Sequence, residues 1–281
     1  MEISITTLIE NTQGEHTALS VEHGLSFLIE KGDQSVLFDT GQSKKFMDNA
    51  AKLGKDLSLV HQVVLSHGHY DHSGGFRSFV DTNNASEVTL WTGKHFFDLK
   101  YGKIGSAVQF LGNDFDEDFL VRNTITHKTV SNEITEIVSG IWVVNGFSST
   151  YPEEVPNPRF IKRSTAGGVW KEDDFEDEVL LVVESSQGLV VIVGCAHPGI
   201  LNMLNTVSKK FGKNIFALLG GTHLIEADEE RLQKTLKEFQ ERSIEILGIS
   251  HCSGPYAVEQ AISLGQTNFR NSTGTTLILE G

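Results

Sequence analysis

The chain has 281 residues, of which 39% are hydrophobic and 21% charged, proportions of an ordinary globular protein that exclude a disordered or fibrous class. Its formal net charge of -14, from 23 basic and 37 acidic side chains, opposes general attraction to nucleic acid or to an anionic membrane surface. Neither is expected as a partner, whereas a small anionic molecule stays open because a bound divalent cation reverses the local field.

Residues 1–10 lack the basic start and continuous apolar run of a signal peptide, and the alternation of Ile3, Ile5 and Thr7 predicts a strand. The longest apolar runs, such as 189–193, are too short to span a bilayer. A cytoplasmic protein is expected.

Further strands are predicted at 25–30, 36–39 and 63–66, each bounded by Gly, Asp or polar residues. Between them, 44–53 carries Phe46, Ala50 and Leu53 at helical spacing, with Gly54 as its stop. From about 93 to 178 the periodicity weakens, and this stretch holds the acidic run 114–118 and a proline-bearing segment at 151–158. It reads as solvated loops and short hairpins, with a pocket-forming insertion as the functional alternative.

Alternation resumes at 179–184 and 189–193, which form a hairpin about Ser185-Ser186-Gln187-Gly188. A helix at 200–211, a strand at 215–219, a charged helix at 228–241, a strand at 244–249 and a helix at 255–264 follow. Strands first, then alternating helices and strands with no Pro- or Ser-rich linker, predict one layered α/β domain over 1–281.

The segment His67-Gly68-His69-Tyr70-Asp71-His72 leaves an apolar strand and places three imidazoles and one carboxylate within six positions. On a loop these groups can converge on one point, and they are ligands for zinc, iron or manganese. Gly68, Gly74 and Gly75 permit tight turning there. Three more histidines, His197, His223 and His251, each follow an apolar run. Side chains at the ends of neighbouring strands face a common edge, where open α/β folds build their sites. Cys195 and Cys252, too few for a disulfide framework, read first as small buried side chains beside these histidines, and second as redox or metal groups.

His67, His69, Asp71 and His72 complete an HxHxDH signature, by which the chain resembles the metallo-β-lactamase superfamily. That resemblance implies a four-layer αββα sandwich and one or two divalent metal ions, zinc first, with iron or manganese as alternatives. It makes His67, His69 and His197 the expected ligands of a first ion, and Asp71, His72 and His251 those of a second. Asp39 would orient the metal loop by hydrogen bonding. Many hydrolytic members carry a bridging Asp between the counterparts of His197 and His251; here Asp228 is the only Asp in that interval and starts a helix. His223 stands near that place, with three open roles: neutral ligand, acid or base, or wall residue.

The phrases at 194–200, 220–224 and 250–254 resemble a branch labelled 7,8-dihydropterin-6-methyl-4-(β-D-ribofuranosyl)aminobenzene 5'-phosphate synthase. Three functions follow as expectations. One is a hydrolase acting on a phosphate-bearing or ester-like small molecule, with Asp71 and His223 catalytic. The second is a transferase of a dihydropterin diphosphate, and the third a noncatalytic metal or ligand sensor. Arg159, Lys162 and Arg163 form the first candidate phosphate wall, and Lys94, His95, Lys100 and Tyr101 the second; solvated surface clusters are the plainer reading of both.

Overall fold

The computed structural model describes residues 2–83, 87–131, 134–265 and 267–281. The first half contains β1 (Glu2–Ile9), β2 (Ser26–Lys31), β3 (Gln34–Phe38), α1 (Lys45–Lys52), β4 (Gln62–Val64), α2 (Tyr70–Ser73), α3 (Phe76–Thr82) and β5 (Thr89–Gly93). The middle contains β6 (Leu99–Ile104), β7 (Ala107–Phe110), α4 (Glu117–Arg122), β8 (Thr126–Val130), β9 (Ile134–Val138), β10 (Ile141–Val144), β11 (Phe160–Arg163) and β12 (Lys171–Glu172). The remainder is β13 (Leu180–Ser185), β14 (Gly188–Val193), α5 (Ile200–Phe211), β15 (Ile215–Gly221), α6 (Glu229–Glu241), β16 (Ile246–Ser250), α7 (Pro255–Leu264) and β17 (Thr276–Glu280).

Two large sheets result, ordered β17-β1-β2-β3-β4-β5-β8 and β16-β15-β14-β13-β10-β9. Strict alternation decides what each face meets, because successive side chains of a strand point to opposite sides. In β14, Val190 and Ile192 join the core between the sheets, whereas Leu189, Val191 and Val193 pack with α5 residues such as Leu201 and Leu204. In β3, Val36 and Phe38 face the same inter-sheet core, and Leu37 faces Phe46 of α1 and Phe79 of α3. Helices therefore cover the outer face of each sheet, giving the αββα sandwich that the resemblance implied.

Capping chemistry fixes the helix ends. The Asp228 side chain accepts from the Arg231 N–H at the start of α6, Asp116 does the same for Phe119 in α4, and α5 stops at Gly212 with a left-handed φ of 62°.

The stretch 93–178 is more regular than its weak periodicity suggests. Part of it builds a third sheet, β12-β11-β6-β7, while β8 extends the first large sheet and β9 and β10 extend the second. The acidic run at 114–118 supplies the cap and first turn of α4. Negative charge there complements the exposed N–H groups of a helix start.

The strand directions position the site. β3 runs parallel to β4, and β14, β15 and β16 run parallel to one another, with Val193 opposite Gly220 and Gly221 opposite Ser250. Their C-terminal ends share one edge. The segments leaving them carry Asp39, His67 to His72, His197, His223 and His251. Gly194 lets the two sheets close there, since a Cβ on it would lie 2.1 Å from Ser66 Oγ.

Candidate metal centre

Asp39 organises the histidines of the first sheet. Its Oδ1 accepts from the Ser66 N–H at 2.7 Å, and its Oδ2 accepts from Ser66 Oγ at 2.8 Å and lies 2.7 Å from His72 Nδ1. A carboxylate only accepts, so His72 must carry a proton on Nδ1. Because Ser66 Oγ spends its proton on Asp39, it accepts from His67 Nδ1, 3.0 Å away. Both rings therefore turn Nε2 into the cluster.

His67 Nε2 lies 3.1 Å from His69 Nδ1, and the ring centroids of His67 and His69 lie 5.0 and 5.2 Å from that of His197. The Nε2 atoms of His69 and His197 are buried with no hydrogen-bond partner. Burial pushes the pKa values of His67 and His197 well down and that of His69 to about 3. Neutral imidazole is the form that binds a metal.

Beside this trio, Asp71 Oδ2 lies 3.6 Å from His72 Nε2, 3.2 Å from His251 Nε2 and 3.2 Å from His23 Nε2. Burial opposes charge on Asp71, but these neighbours outweigh it and hold its carboxyl well below the usual range. Burial also opposes charge on His72, while Asp71 and Asp39 prevail and raise its pKa to about 9. The two carboxylates favour a cation at Nε2, whether proton or metal. Cys195 Sγ is 3.2 Å from the same nitrogen. Burial keeps that thiol protonated, so it can donate to a free Nε2.

The donor chemistry fits divalent ions. Bonds of about 2.0–2.2 Å in tetrahedral array separate ligand atoms by roughly 3.3–3.6 Å. The spacings of 3.1 Å within the first group and 3.2–3.6 Å around Asp71 lie within about 0.2 Å of that edge. His67, His69 and His197 bring their ligand atoms within 4.8 Å of one another, as do His23, Asp71 and His251.

His223 occupies the second sheet's contribution near the missing Asp. It has a left-handed φ of 52°, its ring lies 4.4 Å from His197, and its Nε2 is 3.2 Å from Glu226 Oε2 without hydrogen-bond alignment. Burial opposes its charge, but Cys252 and Glu226 outweigh it and raise its pKa to about 10. Its backbone N–H donates to Cys252 Sγ at 3.3 Å.

Glu178 fixes the backbone that carries His197. Its carboxylate accepts from the Ala196 N–H at 2.5 Å and the His197 N–H at 2.9 Å. Phe175 then stacks on the His197 ring at 3.8 Å between centroids.

A cavity of about 350 Å³ opens over the cluster, lined by His69, Asp71, His197, His223 and His251, with Ile104, Leu111, Phe160 and Ile225 as its apolar wall. A larger recess of about 830 Å³ lies at the β1–β17 edge and holds no histidine or cysteine.

Of the expected phosphate contacts, Arg159 alone lines the site cavity. Its guanidinium lies over Phe160 at 4.0 Å, and its Nε donates to Glu226 at 2.8 Å. Lys162 faces inward instead, fully buried against Asp173 and Asp174. Lys100 is likewise buried, 2.7 Å from Asp173 and 2.9 Å from Asp177. Neither amine is open to a ligand. Arg163 lies over Trp170, Tyr101 packs edge-on to Phe110 and Trp170, His95 faces Glu176 on the surface, and Lys94 borders a separate recess.

His23 and Asn11 escaped the sequence reading although both line the cavity. The only signal was a histidine directly before Gly24 in a loop; nothing in its spacing tied it to Asp71.

The sequence model of the Metallo-beta-lactamase superfamily matches residues 19–200. The chain is 29% identical over 273 residues to the 7,8-dihydropterin-6-methyl-4-(beta-D-ribofuranosyl)-aminobenzene-5'-phosphate synthase of Methanocaldococcus jannaschii, covering 90% of this chain and 88% of that one. An uncharacterized protein of the same organism is 26% identical, over 89% of this chain and 90% of that one. Among solved structures, the crystal structure of Tm1679, a metal-dependent hydrolase of the beta-lactamase superfamily, superposes with a TM-score of 0.83 at 32% identity and covers 98% of both chains. With the family match spanning well over half the sequence and the sandwich shared almost end to end, the chain belongs to the metallo-β-lactamase superfamily.

Proposed function

We propose that the chain is a metal-dependent enzyme that hydrolyses a phosphate-bearing or ester-like small molecule at the histidine-lined cavity. The observation that carries this reading is the convergence of imidazoles: His67, His69 and His197 bring their ligand atoms within 4.8 Å of one another, and the buried Nε2 atoms of His69 and His197 have no hydrogen-bond partner. Buried ring nitrogens without a partner cost free energy, which a cation shared among them would relieve. His67, His69 and His197 would hold a first divalent ion, and Asp71, His72 and His251 a second, with zinc preferred and iron or manganese accepted by the same ligands.

When bound, divalent ions supply Lewis acidity to a carbonyl or phosphoryl oxygen and ease the ionisation of water. The protein's own part is positioning and proton transfer. Asp71, between the two groups, orients the attacking water. His223 faces the cavity, and Glu226 sustains its proton, so it donates to the leaving oxygen. The apolar wall of Ile104, Leu111, Phe160 and Ile225 takes the organic part of the substrate, while Arg159 offers the one nearby guanidinium.

The 29% identity to the dihydropterin synthase over most of both chains favours a second reading, transfer of a dihydropterin methyl carbon from its diphosphate. A substrate panel separates the two: phosphodiesters and lactones on one side, a dihydropterin diphosphate with a ribosylaminobenzene phosphate on the other. In either case His223→Gln should lower turnover about 10²–10⁴-fold with metal content unchanged. Full turnover in that variant removes the proton-transfer role, and a loss of metal with turnover makes His223 a ligand.

A further inference from the structure

His23 and His251 stand side by side at the rim of the cavity, with ring centroids 4.9 Å apart in a stacked arrangement. Each points Nε2 at the same oxygen, Asp71 Oδ2, at 3.2 Å. By distance alone the two are equivalent, and both belong with Asp71 to one candidate metal-binding trio. Their other nitrogens break the equivalence.

Both Nδ1 atoms meet Asn11. The Gly24 N–H donates to Asn11 Oδ1 at 3.1 Å. A backbone N–H has no other role than donor, so the atom facing it must be the amide oxygen. That fixes the amide orientation. His251 Nδ1 lies 2.9 Å from this same oxygen and must therefore carry a proton. Its Nε2 is then left with a lone pair, buried and without a hydrogen-bond partner, facing a carboxylate oxygen. Two acceptors at 3.2 Å repel unless a cation, a metal ion or a proton, lies between them. The amide nitrogen, for its part, faces His23 Nδ1 at 3.4 Å. An NH₂ group only donates, so His23 Nδ1 accepts and the ring proton sits on Nε2, aimed at Asp71.

The loop is held in this register. A Cβ on Gly24 would lie 2.7 Å from the Asp71 carbonyl oxygen, and the Leu25 N–H donates to that oxygen at 3.2 Å. Glu22, buried, accepts from the Gln42 and Ser43 N–H groups at 3.1 Å. From the opposite side, Glu10 accepts from the His251 N–H at 2.7 Å.

We propose that Asn11 is a positioning residue that sorts two adjacent histidines into opposite roles: His251 presents a bare Nε2 to the second metal position, and His23 carries its proton on Nε2 as a donor to Asp71. The metal half of this assignment rests on the proposed function above. Its consequence is that Asp71, His72 and His251 would be the protein ligands of the second ion, and His23 would not add a fourth, which suits a catalytic rather than a structural ion. A donor on Asp71 also restrains the carboxylate in the way that outer hydrogen-bond partners orient metal ligands.

Long-range proton–nitrogen correlation spectra of protein labelled with ¹⁵N-histidine, zinc-loaded at pH 8.5, read the tautomers directly. The expected result is a protonated Nδ1 with a bare or zinc-bound Nε2 for His251, and the reverse, a bare Nδ1 with a protonated Nε2, for His23. Asn11→Asp replaces the amide nitrogen with an acceptor, so the His23 proton signal should move to Nδ1 while His251 stays unchanged. A merely structural Asn11 would leave both signals in place. Protonated Nδ1 on His23 of the unaltered protein, or protonated Nε2 on His251, overturns the proposal whatever the variant does. If zinc fails to bind, the proposed metal enzyme is contradicted, and the same spectra of the metal-free protein still decide the two Nδ1 states, protonated on His251 and bare on His23.

Discussion

Asp39 illustrates how one side chain beyond the reach of any ligand position sets the state of several that are within it. Its two oxygens hold the Ser66 N–H, the Ser66 hydroxyl and His72 Nδ1, and through Ser66 they reach His67. Outer partners of this kind contribute about 10–100-fold to metal affinity. Asp39→Asn keeps the shape but offers one acceptor in place of two. The variant should bind zinc roughly 10–100-fold more weakly in a chelator competition; unchanged affinity would show that the histidines need no such orientation. Asp39 was legible only through the family resemblance, which expects an orienting Asp at the end of an early strand. Asn11 was not. It acts on His251 across 240 positions, and a side-chain amide in a polar loop leaves no periodic trace.

Among the elements, β6 and β11 carry Lys100, Lys162 and Arg163, three of the clustered basic residues that suggested a phosphate wall. Lys100 of β6 pairs across the strands with Lys162 of β11, and both amines turn inward to Asp173, Asp174 and Asp177. The aspartates lie in a loop after the short β12, and nothing in local sequence announces that they would neutralise these lysines. Their joint purpose is to anchor the third sheet beneath the site: Asp177 also accepts from the Gly68 N–H at 2.8 Å, inside the histidine loop. Removing one partner of a buried ionic cluster strands the other charges at a cost of about 3–5 kcal/mol. Lys100→Ala should show a loss of that size in urea unfolding. A loss below about 1 kcal/mol would place the cluster with exposed ion pairs, which contribute little.

For the whole molecule, the strands and amphipathic helices of the second half were legible because β13, β14 and β16 are buried nearly throughout and read as apolar runs between helices. The partition of 93–178 among three sheets was not, since the exposed hairpin β6-β7 and the edge strand β9 lack the buried alternation that marks a strand. Nor was β17, which closes the first sheet against β1 with Thr276 opposite Thr6 and Glu280 opposite Glu2. Among the described residues no helix is long and apolar enough to cross a membrane. The first large sheet delivers His67, His69, Asp71 and His72, and the second delivers His197, His223 and His251. A cation bound among them ties the two halves of the sandwich together, and any ligand of the folded state alone adds stability.

Elemental analysis of protein stripped with chelator, reloaded with zinc and desalted tests the metal centre most directly. The unaltered protein should retain about two ions per chain, and His67→Ala should lose at least the first of them. Unaltered, folded protein that retains no stoichiometric divalent metal, whether zinc, iron or manganese, would contradict the account.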